Sequence, residues 1–248
     1  MKKEKVEKYL KCYLKKVAIF IEKLWYLRWI LRSIHKTIFF NFHYLPFRQA
    51  IKLPIWLYKP HFLKLKGTIT INAPIRHGMI RLGCCNVSVY PNTGIMIENH
   101  GGCIVFDDGC IIGNNSALSV GPLGLLVFGK SFSATTSLKL VCYHYIVFEE
   151  NVLCGWNCLF TDTDFHKLTI IGGGYTKPYD KIYIGADCWF AMNNIVMKGA
   201  ILGDHCVVAS NSLLNKDYSF HSYCLLAGQP AKVVKTGIYR NKDDDQID

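Results

Sequence analysis

From Ile184 to Asn215 the apolar positions recur every sixth residue. Ile184, Phe190, Val196, Leu202, Val208 and Leu214 hold that frame without a slip. The residue after each is small or turn-prone (Gly185, Ala191, Gly203, Ala209, Asn215), Met197 excepted. The fifth place of each six is compact: Cys188, Asn194, Ala200, Cys206, Ser212. A helix repeats every 3.6 residues and a strand every 2, so neither accounts for a period of six. A chain that turns a corner every six residues does. One inward aliphatic fills each side, and Gly or Asn takes the bend, where φ is often positive. Three sides make one coil of a parallel β-helix. The frame extends upstream through Phe148, Cys154 and Phe160, with Phe148 placed 36 residues, six whole repeats, before Ile184. Phe106, Ile112 and Leu118 form another run, and Phe128 and Ala134 a shorter one.

The first sixty residues follow another pattern. Val6, Leu10, Tyr13, Val17, Phe20, Leu24, Leu27, Leu31, Ile34 and Ile38 step by three and four, which predicts one long helix over 5–40. Its other face begins as Lys5, Lys8, Lys11, Lys15 and Lys16 and turns aromatic at Trp25, Tyr26 and Trp29. A basic amphipathic helix with such flanks fits an anionic membrane surface. Packing on the solenoid and a coiled coil are the alternatives. Pro46, Pro54 and Pro60 then break the pattern, and the aromatic, basic stretch around them reads as a second membrane-facing or docking segment. The expected organisation is a basic helical arm over 1–64, a β-helix over 65–240 and an acidic tail over 241–248.

Charge follows the same division. Residues 1–66 hold 16 Lys and Arg against 3 Glu, whereas 67–248 hold 13 against 15 Asp and Glu. The arm carries the whole excess of the +11 chain. It lacks a recognised DNA or RNA module, so no nucleic-acid partner is expected. The cysteines number 11, with no CxxC pair, and Cys110, Cys158, Cys188 and Cys206 all take the fifth place of a six. They read as buried, reduced thiols of a cytoplasmic protein without a metal site, peripheral on the inner face of the membrane.

The frame breaks once at length. It stops at TDTDFHKL and resumes at Ile184, leaving a loop over 166–181 that contains Gly172, Gly173 and Gly174.

The run IGADCWFAMNNIVMKGAILGDHCVVASNSLLNKD, followed by LLAGQPAKVVK, resembles the C-terminal half of the hexapeptide-repeat acyltransferases. The likeness covers about Phe106 to Lys235 and extends in particular to the O-acetyltransferases of bacterial surface-polysaccharide synthesis and to maltose and galactoside acetyltransferases. It implies a mainly β, left-handed parallel β-helix, a homotrimer, acetyl-CoA as donor and a saccharide as acceptor. It also places the catalytic histidine just before the excursion, where D-T-D-F-H gives His166. That assignment makes chemical sense. A sugar hydroxyl is a poor nucleophile, and an imidazole that removes its proton during attack on a thioester raises the rate by about 10² to 10⁴. The other ring nitrogen wants an acceptor, for which Asp164, Asp162 or a backbone carbonyl are the local candidates.

On the donor side the resemblance sets Trp189 against the pantetheine arm. Met192 stands where the family often has a small or hydroxylic residue. Ala209 and Ser210 match the strand that meets the pantetheine amides, Lys216 the position near the nucleotide phosphates, and Gly228, Pro230 and Lys232 the turn near the adenine. Two other readings stay open: N-acetylation of an amino sugar or other small acceptor, and a non-catalytic trimeric scaffold.

Overall fold

The computed structural model describes residues 16–17, 33–85 and 87–242. Within them the chain winds as a three-sided prism. Its faces are a nine-stranded sheet and two seven-stranded sheets, and every pairing is parallel except that of Cys224–Gly228 with the last strand, Ala231–Thr236. Successive strands in sequence belong to successive faces, so each coil contributes one strand to each sheet.

The six-residue frame is the inward column of each face. Cys154, Phe190, Val208 and Leu226 are register partners on the first sheet. Phe160, Val196 and Leu214 line up on the second. Phe128, Phe148, Ile184 and Leu202 do so on the third. All these side chains are buried. Phe106, Phe128 and Phe148 stack face to face along the axis at 5.2 and 5.9 Å. Burying each such ring contributes roughly 1.5–3 kcal/mol, and like stacks on like because each coil repeats the last at one strand spacing.

The bend differs in detail from the expectation. The positive-φ residue is not the small one after the inward aliphatic but the third: Asp187, Asn193, His205 and Asn211, with φ between 56° and 59°. Polar residues tolerate that region because their side chains bond locally. Gly203 is small for another reason: a Cβ there would lie 2.4 Å from the carbonyl oxygen of His221 on the next coil. The compact fifth places fill the corners inside. Cys188, Cys206 and Cys224 are buried free thiols, with Cys206 Sγ 3.5 Å from Cys224 Sγ.

One boundary moves. The solenoid begins at Ile55 rather than 65: Ile55–Leu57 pairs with Ile80–Cys84, and Pro60–Leu65 with Ile95–Asn99. Whereas 41–52 is helix and turn, the end of the stretch read as a second membrane-facing segment, from Ile55 on, therefore belongs to the first coil. Its prolines concealed it, yet an edge strand has one row of N–H groups without partners and tolerates Pro at its start. Phe148 and Ile184, set six repeats apart by counting, are direct register partners one coil apart.

Helical residues 33–44 close the open end of the prism. Ser33, Thr37 and Asn41 recur every fourth residue on the buried face. Asn41 Nδ2 donates to the Ile55 carbonyl at 2.7 Å and its Oδ1 accepts the Ile55 N–H at 3.1 Å. Thr37 Oγ1 accepts the Leu57 N–H at 3.2 Å, and Ser33 Oγ the Lys59 N–H at 3.0 Å. A polar stripe thus satisfies the edge that the first strand would otherwise leave bare. Of the helix expected over 5–40, residues 16–17 and 33–40 are helical, and the remainder lies outside the described residues, as do 243–248 of the acidic tail.

Candidate active site

The excursion that interrupts the frame is a β-hairpin rooted on Asp162. Its carboxylate is fully buried and accepts the backbone N–H groups of Tyr143, His144 and Tyr145 at 2.8, 2.7 and 2.7 Å. Three donors converge because the coil below turns its corner there, and a carboxylate is the one side chain that takes them all. Above this root the two arms pair through antiparallel bridges, Thr163 with Tyr179 and Thr169 with Tyr175. Gly172, Gly173 and Gly174, all at positive φ, make the tip. Lys198, from a corner one coil on, fastens both arms: its ammonium pairs with Asp164 and donates to the Lys177 carbonyl at 2.6 Å. Burial alone would raise the Asp180 carboxyl, but the Lys177 ammonium and the Lys181 N–H hold it below its ordinary value.

His166 lies on the first arm and is exposed. No described residue holds its ring in a hydrogen bond, and neither candidate carboxylate faces it in one. Asp162 is committed to the corner and Asp164 to Lys198. At the foot of the hairpin a groove of about 350 Å³ runs between Pro122, Leu123, Tyr143, Phe165 and Tyr179. Phe165 meets Tyr143 edge-on at 4.8 Å.

The expected donor residues lie on another edge of the prism. The hairpin leaves the corner between the second and third sheets, after Leu159–Thr161 and before Ile182–Ile184. Trp189, half-buried, sits on the first sheet between Leu153 and Val207. Met192, Ser210 and Gly228 step by one coil along the corner between the first and second sheets, and Ala209 is adjacent. Pro230 follows in a cis peptide, and the exposed Lys232 pairs opposite Ala227 at the same end. Lys216 is not with them. It stands on the hairpin's edge, one coil beyond Lys198, with its ammonium 5.4 Å from the Tyr218 ring.

The family model for bacterial transferase hexapeptide (six repeats) matches residues 181–216. Over that stretch the chain is similar to the hexapeptide-repeat transferases. It is 34% identical over 74 residues to a chloramphenicol acetyltransferase of Agrobacterium fabrum, covering 30% of this chain and 32% of that one. It is 29% identical over 198 residues to an uncharacterized 24.8 kDa protein in the cps region of Klebsiella pneumoniae, covering 79% and 86%. Among solved structures, the polySia-specific acetyltransferase NeuO superposes with TM-score 0.48 at 16% identity, over 76% of this chain and 91% of that one. The chain spans only about a third of the length of the chloramphenicol acetyltransferase it matches.

Within this hexapeptide-repeat protein, two residues near the hairpin escaped the sequence reading. Lys198 had a signal: it precedes Lys216 by one coil length, so the two share an edge. His144 had none. Its ring lies tilted against that of Tyr179 in the hairpin, centroids 4.8 Å apart. Among the described residues, no helix is long and apolar enough to cross a membrane.

Proposed function

We propose that this protein is an acetyl-CoA-dependent O-acetyltransferase acting on a saccharide of surface-polysaccharide synthesis, built as a homotrimer of left-handed β-helices. One observation carries the reading. His166 and the Trp189, Met192, Ser210, Gly228 column occupy different edges of a single prism. A site that needs both is complete only when the hairpin edge of one copy meets the column edge of the next. Three prisms around one axis satisfy every edge of both kinds at once, because a cyclic arrangement closes.

The column suits the donor. Ala209, Ser210 and Gly228 keep side chains short along a strip of backbone, with an indole beside it and the exposed Lys232 at its end. Such a strip fits a flexible arm carrying amides, and the ammonium group fits a phosphate. Bound there, acetyl-CoA supplies an activated acyl carbon on a thiol leaving group. His166 accepts the acceptor's hydroxyl proton as the oxygen–carbon bond forms. The carbon–sulfur bond breaks, the proton passes from the ring to the departing sulfur, and an ester and free thiol remain. With Asp162 and Asp164 engaged elsewhere, the second ring nitrogen is left to a backbone carbonyl, of this copy or of its neighbour. The basic arm over 1–60 would hold the enzyme on an anionic membrane, at the inner face of the cytoplasmic membrane, where lipid-linked acceptors are made.

Incubation with labelled acetyl-CoA and a panel of lipid-linked glycans tests the reading. The expected product gains one acetyl group. His166→Ala should lower kcat by about 10² to 10⁴ with the oligomer intact. Full turnover by that variant, or by a monomer, would end the proposal.

A further inference from the structure

The closed end of the prism carries an apolar and basic face that no other described residue covers. Opposite the polar stripe, helical residues 33–44 expose Ile38, Phe39 and Phe42. The short helix Phe47–Ala50 continues the surface, with Phe47 exposed at 67% and Ile51 beyond it at 60%. Phe42 and Phe47 touch edge to face at 5.9 Å, so the rings form one patch rather than scattered singles. Arg48 and Lys52 stand exposed within it, and Lys64 and Lys66 at its margin are exposed as well.

The charge pattern says what covers it. From Lys23 to Ile97 the sequence contains no Asp or Glu against 11 Lys and Arg. Arg76 is opposed by Asp108 and Lys64 by Glu98 on neighbouring coils, whereas Arg48 and Lys52 face no carboxylate among the described residues. A protein-facing interface of this size would be expected to carry some internal charge opposition, since unopposed like charges repel across it. Aromatic rings that can enter an interfacial layer, beside cations that pair with lipid phosphates, are what an anionic bilayer recognises. Each cation there strengthens binding about fivefold.

We propose that Phe42, Phe47 and Ile51, with Arg48 and Lys52, form a docking face that seats the closed end of the prism on an anionic lipid bilayer. This rests on the membrane reading above and gives it a place and an orientation. The helix crosses the end of the solenoid, so the prism axis stands away from the bilayer rather than lying along it. The hairpin leaves the fifth strand of the second sheet. Four strand spacings of ~4.8 Å put its root about 19 Å above the first coil. An acceptor sugar joined directly to a lipid headgroup falls short of that height. A lipid-linked oligosaccharide reaches it.

The test uses the full chain and flotation with phosphatidylcholine vesicles, with and without phosphatidylglycerol. The parent should float only with the anionic set. Phe42→Ser/Phe47→Ser/Ile51→Ser and Arg48→Glu/Lys52→Glu should each lose at least about tenfold in binding. Both should keep the parent's circular dichroism, its oligomer on gel filtration and its turnover on a soluble acceptor. Equal flotation of the variants and the parent would overturn the proposal, as would indifference of the parent to lipid charge. Saturable binding of a single-stranded oligonucleotide that vesicles do not displace would overturn it too. A parent that floats as expected yet transfers no acetyl group would sink the enzymatic reading and leave this one standing.

Discussion

Asp162 separates two accounts of the hairpin. If it orients His166, its removal should cost turnover and little else. The structure gives it another task, three backbone N–H groups held at 2.7 to 2.8 Å by a carboxylate with no exposed surface. A hydrogen bond to a charged group contributes about 1.5–3 kcal/mol, and a buried donor left bare costs about 1–3 kcal/mol. Asp162→Ala strands three donors in one corner. Water entering the vacated space recovers part of the loss, leaving about 4 kcal/mol. Against a total of about 5–15 kcal/mol that is severe, and in a chain of this size it corresponds to a fall of roughly 8–16 °C in Tm. Asp162→Asn keeps one acceptor oxygen and should lose about half as much. Thermal melts followed by circular dichroism give the global figure. Amide exchange at Tyr143, His144 and Tyr145 reads the corner itself, since a solenoid can open locally without melting throughout. Asp162→Ala with Tm unchanged, those amides still protected and kcat down a hundredfold would refute the corner argument and return Asp162 to the histidine.

Three further outcomes follow from named contacts. Lys198→Met removes the clamp on Asp164 and on the Lys177 carbonyl. The hairpin should become susceptible to protease between 166 and 177 and kcat/KM should fall, while the melt of the prism moves by less than about 1 kcal/mol, the scale of a solvated pair; an unchanged cleavage rate contradicts this. Gly113→Ala would place a Cβ 1.8 Å from the Thr135 carbonyl oxygen on the adjoining coil and should cost 3 kcal/mol or more. Gly173→Ala meets nothing within 4 Å and bears only the strain of its positive φ, about 1–2 kcal/mol; denaturant midpoints that rank the two the other way would refute the packing argument. Glu98 is held below its ordinary carboxyl value of 4.5, first by the Ser119 hydroxyl and also, against the opposing effect of burial, by His100 and Lys64. A lowered folded value stabilises fully above the ordinary one and ceases to as pH falls through the folded one. Denaturant midpoints of Glu98→Gln should therefore trail the parent at pH 7 and converge with it in acid, and a constant gap would dismiss the contribution.

How much of this was legible depends on the residue. The inward columns were, because a six-residue period has one economical explanation, and Phe190, Val208 and Leu226 are register partners as a three-sided coil requires. The fifth-place cysteines were legible as well, since only a compact side chain fits inside a corner, and Cys188 and Cys206 are buried there as free thiols. The first coil was not. Its strands carry Pro60 and Lys64, and half of each strand faces outward among the basic residues of the arm. The bend was misplaced by two residues because Gly suggests positive φ, whereas Gly203 is needed for close approach and the turn falls on His205. Composition cannot distinguish those two uses of glycine. The roles of Asp162 and Asp164 were illegible for a stronger reason. A carboxylate two or four residues from a histidine in sequence is free to face a neighbouring coil instead, and both do.

The excursion leaves the numbering of the frame unchanged. Ile184 and Leu202, neighbours on the third sheet, are separated by eighteen residues, while Phe148 and Ile184, also neighbours there, are separated by thirty-six. The hairpin therefore adds one coil's length of chain without adding a coil, and the six-residue count passes through it undisturbed. What betrays it is the chemistry at the frame positions inside. After Phe160 the count lands on His166, Gly172 and Pro178, none of which can fill an apolar interior as the aliphatics do. A coil built on them would put an imidazole in the core, strand it without a partner and leave a void where an aliphatic belongs. Folding outward instead frees the histidine for solvent and for a neighbouring chain. The position that would have pointed into the prism had the pattern continued is thus the one best placed to do chemistry because it did not.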